Sequence, residues 1–326
     1  MMDPKGDQPD AWPRITIITP TRNAADYVAT AIESVRRQRY PNLEHIVLDN
    51  RSSDDTLARI ARFPGVRVIS ESDRGSHDAM NKGIRLTSGE IIGFLNADDI
   101  YIDGLLHEVG LIFADDPSID VVVARTVVFQ EDAQGRRELL VARDHERNEG
   151  FWLPEHTFGV PGFNGRFFHR RVFERIGNFS DGYDIAADRH FFLRALLAGL
   201  KARHISGNVG LCYRSHAGSA TFNPQRRQTY TIGREHIRMA EEFLFSLQAD
   251  REQRRIFRAW YVFESTKFAL RGIAAGRSGE AARVLGRLMM RAPLWPVWLL
   301  HGFILRRAVR RGERQSKGLP LPVEEG

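Results

Sequence analysis

Residues 91–101 read IIGFLNADDIY. An apolar run, Ile91 to Leu95, stops abruptly at Asn96, Asp98 and Asp99. A short run of this kind reads as a buried strand. Open α/β sheets place their ligands at the C-terminal edge of such strands. Two adjacent carboxylates repel each other there, and a divalent cation is the commonest reason to keep them together. The stretch therefore predicts an α/β sheet whose edge holds a cation and, through it, an anionic substrate.

The chain alternates on both sides of this stretch. RITIITP (14–20), LEHIVLDN (43–50) and VRVISE (66–71) read as strands, and DVVVART (120–126) as a later one. Between them lie helical patterns at 23–37, 52–63, 77–87 and 104–113, the first with an apolar stripe of Tyr27, Val28, Ala31, Ile32 and Val35. This rhythm predicts a mostly parallel sheet with helices on both faces. All the strand ends then share one edge, and three consecutive ones carry carboxylates: Asp49, Asp73, and Asp98 with Asp99. Simple capping of the next helix could explain Asp49 or Asp54, but one cap needs only one carboxylate.

The chain has 326 residues, 42% apolar and 27% charged, as in an ordinary globular protein of one large or two modest domains. A single cysteine, Cys212, excludes an internal disulfide and fits a reducing compartment. The opening MMDPKGDQPDAWPR has no apolar h-region, so no secretory signal is expected. Charge is uneven. Residues 226–326 hold 20 Lys and Arg against 10 Asp and Glu, a net of +10 in a chain of +6, which leaves about −4 for residues 1–225. Such a tail suits an anionic partner, or is simply a solvated helical face.

Four motifs in order, IITPTRN, LDNRSSDDT, SESDRGSHDAMNKGI and GEIIGFLNADD, resemble the inverting family-2 glycosyltransferases of the GT-A fold, especially bacterial enzymes of exopolysaccharide and O-antigen assembly. The resemblance covers roughly residues 14–215. It implies a Rossmann-like catalytic domain at 14–222, with a nucleotide-binding half (14–125) and an acceptor half (126–222), followed by a basic helical extension at 223–326.

By resemblance, Pro20, Thr21 and Asn23 open the nucleotide pocket, and Asp49 matches the residue that bonds the base, normally uracil. Asn50 stands where many members have a second Asp, so which of Asp49 and Asn50 touches the base stays open. Asp73, Arg74 and Lys82 border base and diphosphate. Asp98 and Asp99 match the metal motif, one meeting the ribose side and the other, expected to be Asp99, ligating Mg²⁺ or Mn²⁺. Asn96 holds the place of a first carboxylate in that motif.

The implied reaction moves a sugar from a nucleotide-diphosphate donor, expected to be a UDP-sugar, to a saccharide or polyprenyl-linked acceptor. The cation neutralises the leaving diphosphate. A base outside the metal cluster must take the acceptor proton. Asp188, in the first turn of a helix over 185–199, matches the family's base; Asp184 is its rival, and capping its own helix is the alternative role. Arg194 is expected to support the fold or the diphosphate.

Phe163, Asn164, Gly165 and Arg166 replace the His-Gln pair that relatives carry near the donor sugar. Trp152, His156 and Phe158 read as an acceptor loop or as core, and His169, His204 and His216, lacking metal spacing, as structural. The segment from Arg287 to Arg311 has an apolar centre with paired Trp, broken by Pro293, Pro296 and His301 and flanked by arginines, which suits contact with an anionic membrane surface or packing on the catalytic domain. The expected location is cytoplasmic, peripheral on the inner face of the cytoplasmic membrane. Nucleic acid is not an expected partner, because the basic tail lacks RNA-like motifs with interleaved aromatics. A non-catalytic nucleotide-binding or partner-binding module on the same fold is the rival reading; it would need no base.

Overall fold

The computed structural model describes residues 12–131, 137–143, 152–159, 162–216 and 228–314. The expectations for the N-terminal segment before Trp12 and for residues 223–227 and 315–326 of the extension fall outside them.

The first part of the chain runs β1 (Ile15–Thr21), α1 (Val28–Arg36), β2 (Leu43–Asp49), α2 (Thr56–Ile60), β3 (Val66–Ser70), α3 (Ser76–Leu86), β4 (Ile91–Phe94), β5 (Ile100–Tyr101) and α4 (Leu105–Asp115). The second part runs β6 (Val121–Glu131), β7 (Arg137–Arg143), α5 (Leu153–Phe158), β8 (Arg166–His169), α6 (Arg171–Ile176), α7 (Ala187–Leu197) and β9 (Ala202–Ser215). Four helices close the described chain: α8 (Gln228–Leu244), α9 (Arg251–Ala274), α10 (Ser278–Arg291) and α11 (Trp295–Arg314).

The sheet order is β3-β2-β1-β4-β8-β6-β9-β5, with β7 on β6. The first four strands are parallel, as the alternating pattern predicts. Beyond them the sheet is mixed. β8 inserts antiparallel between β4 and β6, and β9 runs parallel to β6 and antiparallel to β5. β1 is buried throughout because helices cover both faces. Ile15 and Ile17 pack with Ala31 and Val35 of α1, whereas Ile18 packs with Ala79, Met80 and Ile84 of α3. At Gly83 a Cβ would lie 2.6 Å from Ile18 Cγ2, so glycine sets how closely α3 approaches the sheet.

Two helices are shorter than their sequence periodicity. α1 starts at Val28 rather than Asn23, and α2 spans only Thr56–Ile60. Asn23 adopts φ 48°, its N–H donates to Ser52 Oγ at 2.8 Å, and its Oδ1 accepts from Ser53 N at 2.9 Å. The Ala24 N–H donates to Thr56 Oγ1. These cross-loop bonds use the groups that would otherwise start both helices.

One buried cluster joins Ile18, Phe94, Phe168 and Phe191 to Met239, Phe257 and Trp260, so it crosses the expected boundary at residue 222. α9 begins with a capping box, in which Asp250 Oδ1 accepts Gln253 N and Gln253 Oε1 accepts Asp250 N. α10 and α11 meet at a 99° bend at Ala292–Leu294, where Pro293 cannot continue the first helix.

Candidate active site

The C-terminal ends of β1 and β2 make the first part of the site. Thr21 pairs with Asp49 in register, and the buried Thr21 Oγ1 has no hydrogen-bond partner among the described residues. Pro20 precedes it in the same strand. Asp49 is buried and accepts from Ser52 N at 3.1 Å, Ser52 Oγ at 2.5 Å and Ser70 Oγ at 2.6 Å. Three donors hold its carboxylate in one orientation.

The end of β3 comes next. Asn50 and Asp73 face each other: Asn50 Nδ2 donates to Asp73 Oδ1 at 2.6 Å, and Asp73 N donates to Asn50 Oδ1 at 3.1 Å. Burial raises the Asp73 pKa. Arg74 pairs with Asp78 at 3.2 Å and with Asp181, across the chain, at 2.6 Å. Lys82 on α3 pairs with Glu71 at 2.9 Å and donates to Ser72 O.

The two carboxylates of the opening motif differ in setting. Asp99 is fully buried. Its Oδ2 accepts from Asn164 Nδ2 at 2.6 Å and Asn96 Nδ2 at 3.2 Å, and its Oδ1 from Arg214 N at 3.0 Å. Burial and the neighbouring Asp98 charge push its pKa well up. Asp98 keeps about a quarter of its side chain exposed (26%), and its Oδ2 lies 2.9 Å from His216 Nε2. The short strand β5 brings this about. Ile100 pairs with Cys212, which carries Arg214 of β9 and His216, just past the strand's end, alongside the Asp pair. The His216 ring packs on Tyr27, just before α1, at 4.7 Å. Among the described residues no three His, Cys, Asp or Glu side chains converge as a metal cage.

Asn164 reaches Asp99 because its neighbours are fixed. Phe163 stacks on Phe168 and packs against Phe94. Gly165 adopts φ +81°, and a Cβ there would lie 2.9 Å from Thr126 Oγ1.

Asp188 lies in the first turn of α7, partly buried, with its Oδ1 accepting the Arg189 N–H at 2.6 Å. The loop before it is braced from two sides. Asn81 of α3 bonds both backbone groups of Phe179, at 2.9 and 3.0 Å. Glu235 of α8 accepts the N–H groups of Asp184, Ile185 and Ala186 at 2.7, 3.2 and 2.8 Å. Asp184 itself is exposed. Arg194 donates to the carbonyls of Ile176 and Asn178, so it supports the fold of the preceding turn.

The structure thus groups Thr21, Asn23 and Asp49, pairs Asn50 with Asp73, and gathers Asn96, Asp98 and Asp99. It adds Asn164, His216 and Glu235, which sequence spacing did not single out for these roles. The tract around Asn164 was legible as a departure from its relatives, but His216 and Glu235 carried no local signal. Trp152 stands at the start of α5, partly exposed, whereas His156 is buried against Phe192 and Phe158 packs on Phe263, so both are core.

Residues 16–177 match the family described as Glycosyl transferase family 2. An uncharacterized glycosyltransferase of Mycobacterium tuberculosis is 33% identical over 193 residues, covering 57% of this chain and 70% of that one. An Escherichia coli UDP-Glc:alpha-D-GlcNAc-diphosphoundecaprenol beta-1,3-glucosyltransferase is 36% identical over 96 residues, 28% of this chain and 38% of that one. Among solved structures, residues 1–349 of S. aureus TarS in complex with UDP-GlcNAc align with TM-score 0.62 at 16% identity, over 96% of this chain and 95% of that one. The parallel sheet with its carboxylate edge and the sequence match over the same residues lead to one assignment: the chain belongs to glycosyl transferase family 2 and is a glycosyltransferase.

Proposed function

We propose that the protein transfers a sugar, with inversion, from a UDP-sugar to a saccharide or polyprenyl-linked acceptor during assembly of a cell-surface polysaccharide, working on the cytoplasmic side. The donor class draws support from the likeness to TarS, solved with UDP-GlcNAc, and the acceptor class from the E. coli relative, whose name includes a diphosphoundecaprenol. In this reading Asp49 and the unpartnered Thr21 Oγ1 meet the nucleoside, and Arg74 and Lys82 border the diphosphate.

The observation that carries the proposal is the Asp98–His216 pair at the strand edge, with the anchored Asp99 beneath it. A partly exposed carboxylate suits Mg²⁺ or Mn²⁺, and the imidazole nitrogen beside it favours Mn²⁺ of the two; either ion completes its shell with water and substrate phosphate oxygens. Asp98 and His216 would hold the cation. Asp99, the direct ligand expected from the sequence, has both oxygens already bonded and would instead brace the pair from beneath. When bound, the cation neutralises the charge that develops on the leaving diphosphate.

Asp188 takes the proton from the acceptor hydroxyl as its oxygen attacks the anomeric carbon. The bond from that carbon to the diphosphate breaks, and the nucleotide leaves with the electron pair. Release of nucleotide from a panel of nucleotide sugars, with and without Mn²⁺, tests the whole reading. Activity of Asp98→Ala equal to wild type would remove the metal assignment, and release from no UDP-sugar would remove the donor class.

A further inference from the structure

We infer that the outward faces of α10 and α11 seat on an anionic lipid bilayer, lying in its surface rather than crossing it. The inward faces are already used. Ala281, Leu288 and Ala292 are buried, and Trp295, Trp298 and Leu299 pack against the main cluster. Gly302 lies close to Ala259 and Phe263 of α9.

What remains outside is apolar. Met290 is 79% exposed, Leu294 64%, Val297 60% and Leu300 62%, with Phe303 and Ile304 more than half exposed. On α11, Val297, Leu300 and Ile304 stand three and four residues apart, so they form one stripe. One turn later the stripe continues as Arg307. A soluble surface rarely carries so many large apolar groups together without a partner.

Charge selects the partner. Residues 278–314 hold eight arginines against two glutamates. Arg283, Arg287, Arg307 and Arg310 are exposed. A symmetric pairing with a second copy would bring like charges together, whereas an anionic headgroup layer neutralises them. No single helix among the described residues is long and apolar enough to cross a membrane; α10 and α11 reach that length and hydropathy only together, and they bend by 99° between them. An amphipathic bend with arginines at its margins fits the interfacial plane. This inference stands on the helix faces alone and goes beyond the transfer reaction.

The test is flotation of the whole protein with vesicles of phosphatidylglycerol and phosphatidylcholine, against vesicles of phosphatidylcholine alone, with no donor or acceptor present. Wild type should float with the anionic vesicles and be released by high salt. Arg307→Glu with Arg310→Glu should lower the partition about tenfold or more. Leu300→Ser with Phe303→Ser should do the same while circular dichroism stays unchanged. Quenching by brominated lipid of a fluorophore carried on the outward face, in Leu300→Trp, reads the same contact should a charge or serine variant fail to fold. Absence of flotation, flotation of both variants equal to that of the wild type, or a dimer that the Leu300 and Phe303 changes dissociate would overturn the inference, the last by assigning the face to a second copy.

Discussion

Glu235 accepts the backbone N–H of Asp184 at 2.7 Å, so a side chain from the C-terminal helices holds the loop that leads to Asp188. The same carboxylate takes the next two N–H groups as well. Glu235→Ala leaves three donors without their acceptor, at a stability cost of about 3 kcal/mol. Turnover should fall roughly tenfold or more, because a base loses its alignment, while the donor KM changes little. Glu235→Gln keeps an acceptor oxygen and should recover part of the loss. Steady-state nucleotide release gives both constants. A parallel loss of donor affinity would show that Glu235 serves the nucleotide pocket instead.

Asp188 carries the proton transfer in the proposed reaction. Asp188→Asn should lower kcat by roughly 10²–10⁴-fold, the usual worth of a general base. UDP binding, followed by calorimetry, should be unchanged. Weakened UDP binding would reassign the residue to the donor side, and unimpaired turnover would pass the role to another group, with Asp184 the first to examine.

The Asp98–His216 pair makes a prediction about metal. His216→Ala should raise the Mn²⁺ concentration needed for half-maximal activity by roughly tenfold or more, with saturating metal restoring much of the rate. Asn164→Ala, which removes only a hydrogen bond to Asp99, should shift it less. Equal metal titrations for wild type and His216→Ala would remove the histidine from the site.

His45 is buried with Nε2 2.9 Å from Thr19 Oγ1, and burial lowers its pKa to about 4. Between pH 6.5 and 4 the unfolded chain carries a proton on this ring that the folded chain does not. Stability therefore falls as pH falls through that window, by roughly 3 kcal/mol over the full interval. Asp99, whose pKa is raised, acts in the opposite sense, so the wild-type slope is a sum. Urea unfolding at both ends of the window should show a shallower acid loss for His45→Gln than for wild type. Identical slopes would refute the assignment.

The parallel strands were legible because each is an apolar run ended by polar residues, and a buried parallel strand needs little else. The carboxylates at 98 and 99 were legible because their position breaks that pattern. The early start expected for α1 failed because Ser52 and Thr56, some thirty residues away, take the N–H groups of Asn23 and Ala24. β8 pairs with β4 across more than seventy residues, and nothing within Arg166–His169 names that partner. His216 meets Asp98 across 118 residues through the β5–β9 register, so no motif spacing could reveal it. Helical periodicity in α8 shows which face is apolar. It does not show that Glu235 caps a distant loop.

The buried cluster that joins Phe191 and Phe94 to Phe257 and Trp260 has a consequence for the order in which the chain is made. Translation delivers β1 to β9 before α8, so a nascent chain holds every residue of the proposed nucleotide pocket while Glu235 and the cover over α7 are still inside the ribosome. If the sheet holds its shape without these helices, nucleotide binding should precede turnover. Chains of residues 1–227 arrested behind an unrelated spacer that clears the exit tunnel would show this as UDP binding without transfer; transfer by them would show that the nascent chain needs neither the cap nor the cover.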